Sequence, residues 1–287
     1  MRIDSIFEKK KPILSFEIFP PKKETALLNI DETLKSLSEL NPDFISVTFG
    51  AGGTTTNNST VEIAKKIKQQ YNIEPLVHLT CINYSKSEIC DILDQLNNAG
   101  IKNVLALRGD INPSFERKND FTYASDLVTF IKQYGDFCVS GACYPESHIE
   151  AKNVSEDILS LKKKTDNGAS HLISQLFFDN NLFYSFRDKV RAAGINVPIE
   201  AGIMPVINKT QIDKMISLCG ASLPRDLRII IEKYENNSDA LFDAGIEYSI
   251  EQIKDLLEHD VDGIHIFTMN NPIVARKIYE GIMSYYK

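Results

Sequence analysis

Several short apolar runs in this sequence end in residues that can hydrogen-bond, carry charge or move a proton. The most distinctive is Asn103-Val-Leu-Ala-Leu-Arg-Gly-Asp110, an apolar run that stops at Arg108, Gly109 and Asp110. Gly109 lets the backbone turn sharply or approach a ligand closely. The flanking charges then sit at the C-terminal mouth of a strand, where α/β folds place their chemistry. Alone, the stretch fits an ordinary strand exit with a solvated Arg and Asp just as well. Other runs end in the same way, however, and together they bring Glu17, Thr48, His78 with Thr80, Tyr144 with His148, Gln175, and Thr268 with Asn270 to one opening. This is a ring of acidic and hydrogen-bonding groups, costly to leave unpaired near a core. No strand end carries a Lys, which argues against a Schiff-base aldolase. Five histidines without HxH or HExxH spacing argue against a zinc site. A metal-dependent aldolase or lyase using Glu17, Asp110 and histidines stays open.

The elements that must position these groups alternate regularly. Strands are expected at 13–19, 44–48, 75–81, 103–107, 137–144, 171–175, 198–203 and 263–267, with helices between them. Helix 85–98 opens on a capping box, Ser85 with Glu88. Eight strands alternating with eight or more helices in 287 residues, without a linker, is the count for a TIM (β/α)8 barrel. We expect one catalytic domain over 1–287, with an inserted segment at about 222–258 before the eighth strand. A Rossmann sheet also alternates, and Gly50-Ala-Gly-Gly-Thr-Thr55 comes within one residue of its phosphate loop, with Glu74 standing where a ribose-binding acid could be. Five residues, Thr-Thr-Thr-Asn-Asn, part those glycines from the next helix, so a substrate-facing barrel loop fits better.

Bulk properties narrow the partners. A net charge of -7 argues against nucleic acid or an anionic membrane. There is no 18-residue apolar run and no signal-peptide core, so a cytoplasmic protein is expected. Cys81, Cys90, Cys138, Cys143 and Cys219 include no CxxC pair and are expected to be reduced and structural.

Seven blocks carry a resemblance. Ser15-Phe-Glu-Ile-Phe-Pro-Pro-Lys22, Phe44-Ile-Ser-Val-Thr-Phe-Gly-Ala51, His78-Leu-Thr-Cys81, Leu105-Ala-Leu-Arg-Gly-Asp110, Tyr123-Ala-Ser-Asp-Leu127, Tyr144-Pro-Glu-Ser-His-Ile-Glu-Ala-Lys152 and Gln175-Leu-Phe-Phe-Asp179 stand in the order found in methylenetetrahydrofolate reductases. The chain resembles the bacterial form, a catalytic barrel without the regulatory domain of the eukaryotic enzymes. That resemblance implies FAD held on a barrel, and ping-pong transfer of a hydride from reduced nicotinamide (NADH or NADPH) to methylenetetrahydrofolate, giving 5-methyltetrahydrofolate in one-carbon and methionine metabolism. It implies Glu17 as the general acid that opens the imidazolidine ring, and an apolar surround of Phe16, Ile18 and Phe19 is expected to raise its pKa toward neutrality. It implies Asp110 near flavin and folate, stabilising the cationic iminium. Flavin contacts carry over to Thr48, His78, Arg108, Gly109, Asp110, Tyr123, Ala124, Ala142, Tyr144, His148, Ala151, Asp157 and Lys164, and folate contacts to Gln175 and Gln211. The family is usually oligomeric, so a homo-oligomer is expected.

Three residues depart from the family pattern. Asn271 stands where an Arg usually follows the eighth strand, Met215 replaces a stacking aromatic, and Ser160 replaces a flavin-contacting Asn. Altered affinity or donor preference is the expected consequence. The competing reading from another class is a non-catalytic or partner-dependent flavin barrel subunit of a larger redox complex.

Overall fold

Parallel strands joined by helices close on themselves in this chain. The computed structural model describes residues 1–21, 27–49, 57–111 and 117–286. The glycine-threonine loop at 50–56, Lys22, and the expected helix start at Thr25 lie outside the described residues. A short helix, α1 (Asp4–Phe7), precedes β1 (Ile13–Ile18). Then come α2 (Leu27–Ser38), β2 (Phe44–Val47), α3 (Asn57–Tyr71), β3 (Glu74–Thr80), α4 (Lys86–Asn98), β4 (Asn103–Leu107) and α5 (Ala124–Tyr134). The second half runs β5 (Cys138–Cys143), α6 (Val154–Asp166), β6 (Ala169–Ser174), α7 (Asn180–Ala192), β7 (Ile199–Ile203) and α8 (Lys209–Cys219). It ends with α9 (Arg225–Tyr234), α10 (Ser238–Glu258), β8 (Gly263–Phe267) and α11 (Pro272–Ile282). Residues 222–258, the expected inserted segment, hold α9 and α10.

The strands form a closed barrel in sequence order, so the molecule is a TIM (β/α)8 barrel. Closure is made by β1 lying parallel to β8, from Ile13 opposite Gly263 to Glu17 opposite Phe267. An open Rossmann sheet is therefore excluded. Glu74, its suggested ribose acid, starts β3 at the far end of the barrel, where it pairs with Lys68 at 3.0 Å and with the amino terminus. Among the described residues no helix is long and apolar enough to cross a membrane.

Alternation along each strand sorts its side chains. On β1, Leu14, Phe16 and Ile18 join the apolar layer between barrel and helices, while the residues of opposite parity, Ile13, Ser15 and Glu17, face inward. The helices answer with a matching stripe. In α4 the buried residues are Ile89, Ile92, Leu93 and Leu96, and the expected capping box is present, with Ser85 accepting from the Glu88 N–H and Glu88 from the Ser85 N–H. Inside the barrel, Ile13, Phe44, Leu76, Leu105, Cys138 and Ile173 form an apolar floor covered by Ile3 and Phe7. Helix α1 seats this cover because Ile3 N–H donates to Asn103 Oδ1 at 2.9 Å while Asn103 Nδ2 donates to the carbonyls of Met1 and Pro75.

Candidate active site

Above that floor the barrel opens at the C-terminal ends of its strands into a cavity of about 590 Å³, within the range that small-molecule sites occupy. Glu17 from β1, Thr48 beyond β2, and His78 and Thr80 from β3 line it, with Arg108, Gly109 and Asp110 beyond β4. Ala142 and Tyr144 from the end of β5, His148, and Gln175 beyond β6 complete the expected groups.

At the centre, Glu17 Oε2 lies 3.5 Å from Nε2 of both His78 and His265. His78 is buried. Burial lowers its pKa to about 4 against the opposing pull of the Glu17 charge, with His265 lowering it further, so the ring is neutral at pH 7. His78 Nε2 has no hydrogen-bond partner among the described residues, an orphaned polar atom on the wall of a ligand-sized space. The expected apolar surround of Glu17 needs correction. Phe16 and Ile18 point into the helix layer, and the carboxylate that alternates with them meets imidazoles and Phe267 instead.

Gly109 makes the turn that presents its charged neighbours. Its φ is +89°, and a Cβ there would lie 3.1 Å from the Thr80 Cβ, so only glycine takes this bend without strain. Arg108 donates to both Glu150 oxygens, at 2.5 and 2.8 Å. That pairing raises the Arg108 pKa and holds the Glu150 carboxyl below its ordinary value. Asp110 is exposed at the rim. Tyr144 packs edge-on against His148 with ring centres 4.7 Å apart, and its hydroxyl is pushed up chiefly by burial and secondarily by Asp157.

The remaining expected residues are not on the cavity lining. Lys164 Nζ donates to the Ala142 carbonyl at 2.5 Å, and burial lowers its pKa. It passes beneath Gly141, where a Cβ would stand 2.6 Å from the Lys164 Cδ. Asp157 accepts from the His148 N–H, and burial raises its pKa. Ala151 N–H donates to the His148 carbonyl. Gln211, in the first turn of α8, places its amide 3.9 Å from the Met204 sulfur on the cavity wall. Tyr123 and Ala124 stand at the N-terminus of α5, with Lys163 5.9 Å from the Tyr123 ring centre.

Some expectations fail on parity. Thr268 and Asn270 do not line the cavity. Thr268 Oγ1 donates to the Glu17 carbonyl at 2.7 Å, and Asn270 brackets the Phe19 backbone, so both fasten β8 to β1. Their neighbours Phe267 and Met269 face the cavity instead, beside Met204 and Met215. Two of the departures have local work. Asn271 caps α11 by accepting from Ile273 N–H and Val274 N–H, and Ser160 donates to the Glu156 carbonyl within α6. All five cysteines are free, and burial pushes the Cys81 and Cys143 thiols up to about 12, which leaves them poor nucleophiles. Among the described residues no group of three or more His, Cys, Asp or Glu could hold a metal ion.

Comparison with known proteins gives a consistent set of matches. The family model described as methylenetetrahydrofolate reductase matches residues 2–283. The 5,10-methylenetetrahydrofolate reductase of Escherichia coli (strain K12) is 36% identical over 257 residues, covering 90% of this chain and 86% of the relative. Methylenetetrahydrofolate reductase (NADH) 1 of Arabidopsis thaliana is 36% identical over 284 residues, 94% of this chain, but the chain spans only 48% of that relative. Among solved structures, a Clostridium thermocellum protein described as binding two copies of 5-methyl-5,6,7,8-tetrahydrofolic acid superposes with a TM-score of 0.73 at 16% identity, over 100% of this chain and 99% of its own. At that identity the likeness speaks for the fold.

Proposed function

Because the chain belongs to the methylenetetrahydrofolate reductase family and is thus an oxidoreductase, we propose that it reduces 5,10-methylenetetrahydrofolate to 5-methyltetrahydrofolate. FAD would be the bound carrier and reduced nicotinamide the donor, in a ping-pong cycle. The observation that carries this reading is Glu17, an acid set between two imidazoles within a ligand-sized cavity.

The residues present fit a flavin. The wall offers the orphaned His78 Nε2, the turn at Gly109, and apolar surface from Ala142 and Leu107. Thr48, His78, Arg108, Gly109, Asp110, Ala142, Tyr144 and His148 would hold the cofactor from the cavity, and Tyr123, Ala124, Ala151, Asp157 and Lys164 from behind its rim. When bound, FAD takes a hydride from one substrate and gives it to the next. The protein's own part is acid–base and electrostatic. Glu17 gives a proton to the folate nitrogen that leaves when the five-membered ring opens. Asp110 offsets the positive charge of the resulting iminium. Gln175 and Gln211 orient the folate, and Met204, Met215 and Phe267 exclude water around the reacting carbon.

The test is an anaerobic absorbance spectrum of the purified protein, taken before and after NADH and again after methylenetetrahydrofolate. A flavin spectrum that bleaches with NADH and returns with the folate is the expected result. Bleaching by dithionite alone would move the donor to a different carrier or a partner subunit. A colourless protein that cannot be reconstituted with FAD would overturn the reading.

A further inference from the structure

A barrel of this kind is normally filled at its centre by branched apolar side chains. Here the centre is a connected run of polar ones. Between the apolar floor and the cavity lie Ser15, Ser140, His171, Glu200 and His265, each fully buried. Ser15 Oγ is 2.7 Å from Glu200 Oε1 and 2.6 Å from His265 Nδ1. His265 Nε2 faces Glu17 Oε2 at 3.5 Å and the buried Ser46 Oγ at 3.3 Å. On the other side, Glu200 Oε2 is 2.8 Å from His171 Nε2, and His171 Nδ1 is 2.9 Å from Ser140 Oγ. The folate half-reaction proposed above consumes one proton per turnover, given up by Glu17. A folate seated in that cavity would stand between Glu17 and bulk water.

We propose, on the basis of that reading, that Glu200 is the inner end of a buried proton wire that returns a proton to Glu17 through Ser15 and His265 while substrate closes the cavity. The balance is simple. His265 Nε2–H passes its proton to the Glu17 carboxylate, His265 Nδ1 takes the Ser15 hydroxyl proton, and Ser15 takes the proton of the Glu200 acid. Glu17 ends protonated and Glu200 ionised, with His265 and Ser15 each carrying the same number of protons as before. The wire refills in reverse when product leaves and Glu17 again meets water. Ser15 suits this role, since its single hydroxyl hydrogen has two acceptors in reach, one on each side. The 3.5 Å gap at Glu17 is the one open link, which a side-chain rotation or one bridging water closes.

Glu200 holds a proton to give. The groups that bear on it are Ser15 from β1, His171 from β6 and His265 from β8, with Asp43, Asp262 and Tyr286 beyond. Burial, reinforced by Asp43 and Asp262, raises its pKa to about 8 against the opposing effects of His265 and Ser15. Burial lowers His171 to about 3, so at neutral pH His171 does not take the proton, and the wire draws on the form of the Glu200 acid that carries it on Oε1, facing Ser15.

The test uses Glu200→Gln and Ser15→Ala in the full chain. In flavin-free protein, carboxyl-carbon NMR should show Glu200 titrating near neutrality, that step should vanish in Glu200→Gln, and the Glu17 titration, assigned with Glu17→Gln, should move in both variants. In the FAD-loaded protein, the single-turnover rate of the folate half-reaction should fall by at least roughly 10-fold in both, on the scale of a lost proton donor. The wild-type decline of that rate above about pH 8 should disappear in Glu200→Gln, while the NADH half-reaction serves as the internal control. If Glu200→Gln fails to fold, Ser15→Ala decides alone. Wild-type rates and an unmoved Glu17 titration in a folded variant would overturn the wire. A wild type with neither half-reaction would overturn the function instead, and the flavin-free titration would still judge the proton on Glu200.

Discussion

Replacing Glu200 by Gln should change how stability depends on pH, with or without flavin. Glu200 is fully buried on β7, with Ser15 at 2.7 Å from one oxygen and His171 at 2.8 Å from the other. A Gln amide has the same shape: its oxygen can accept from Ser15 and its NH2 can donate to His171 Nε2. Burial raises the Glu200 carboxyl from 4.5 to about 8. A group whose folded pKa exceeds its unfolded one contributes stability that is fully present below the unfolded value and lost as pH rises through the folded value. The wild type should therefore lose stability relative to Glu200→Gln between about pH 5 and pH 8. Each step of one in pH across this window removes up to about 1.4 kcal/mol, so the loss from end to end is about 3 kcal/mol. His78 and His171 titrate in both proteins, and their contributions cancel from the difference. Urea denaturation of both proteins at the two pH values, with equal m-values, measures it. A stability difference that is the same at both ends of the window would refute the assignment of a neutral, proton-bearing Glu200.

Other substitutions test the site and its supports. Glu17→Gln should slow the folate half-reaction by roughly 100- to 10,000-fold while NADH still bleaches the flavin, as stopped-flow absorbance would show; equal loss in both half-reactions would remove Glu17 from proton transfer. Gly109→Ala places a Cβ 3.1 Å from Thr80 in a backbone with φ +89°, and should cost about 1–2 kcal/mol with weaker flavin retention, read by thermal melts and by FAD titration. Asn271→Ala removes the cap that accepts from Ile273 and Val274 and should cost about 1 kcal/mol. Asn271→Arg loses the same cap, and an unchanged folate KM in that variant would end the idea that this departure weakens the folate tail contact.

Much of this architecture is legible in the sequence because local signals agree with one another. Apolar runs of strand length alternate with stripes at helical spacing, and caps such as Ser85 with Glu88 mark where one period gives way to the other. Phase is harder to read. On β8 both faces are buried, so Gly263–Phe267 gives an unbroken apolar run apart from His265, and nothing local says whether Phe267 or Thr268 enters the cavity. Closure of β8 on β1 settles it, and closure is a long-range contact. Helix α1 is four residues long, too short to show a period, and it holds its place through Asn103, about 100 residues away in sequence. Asn271 before Pro272 does carry a readable signal, since Asn at an N-cap with Pro at the first helical position is a common helix start. Beside a family pattern alone, the same Asn looks like a missing Arg.

The parity that misplaces Thr268 also explains why the buried polar run escapes a reading by spacing. His171, Glu200 and His265 are separated by tens of residues and fit no ligand motif, and Glu200 and His265 each sit singly in an otherwise apolar strand. Taken from its own strand alone, one such residue reads as an ordinary core polar group. Their relation exists only because every strand turns alternate residues inward to the same axis, so Ser15 of β1 meets Glu200 of β7 across the Gly263 position of β8. Gly263 leaves that gap: a Cβ there would stand 2.6 Å from the Ile13 Cγ1 and 2.9 Å from the Glu200 Cγ. A larger residue would crowd Ile13 and the Glu200 side chain together. The small residue on β8 is thus part of what lets a carboxyl occupy the barrel axis, and the placement of that carboxyl is set by three strands at once.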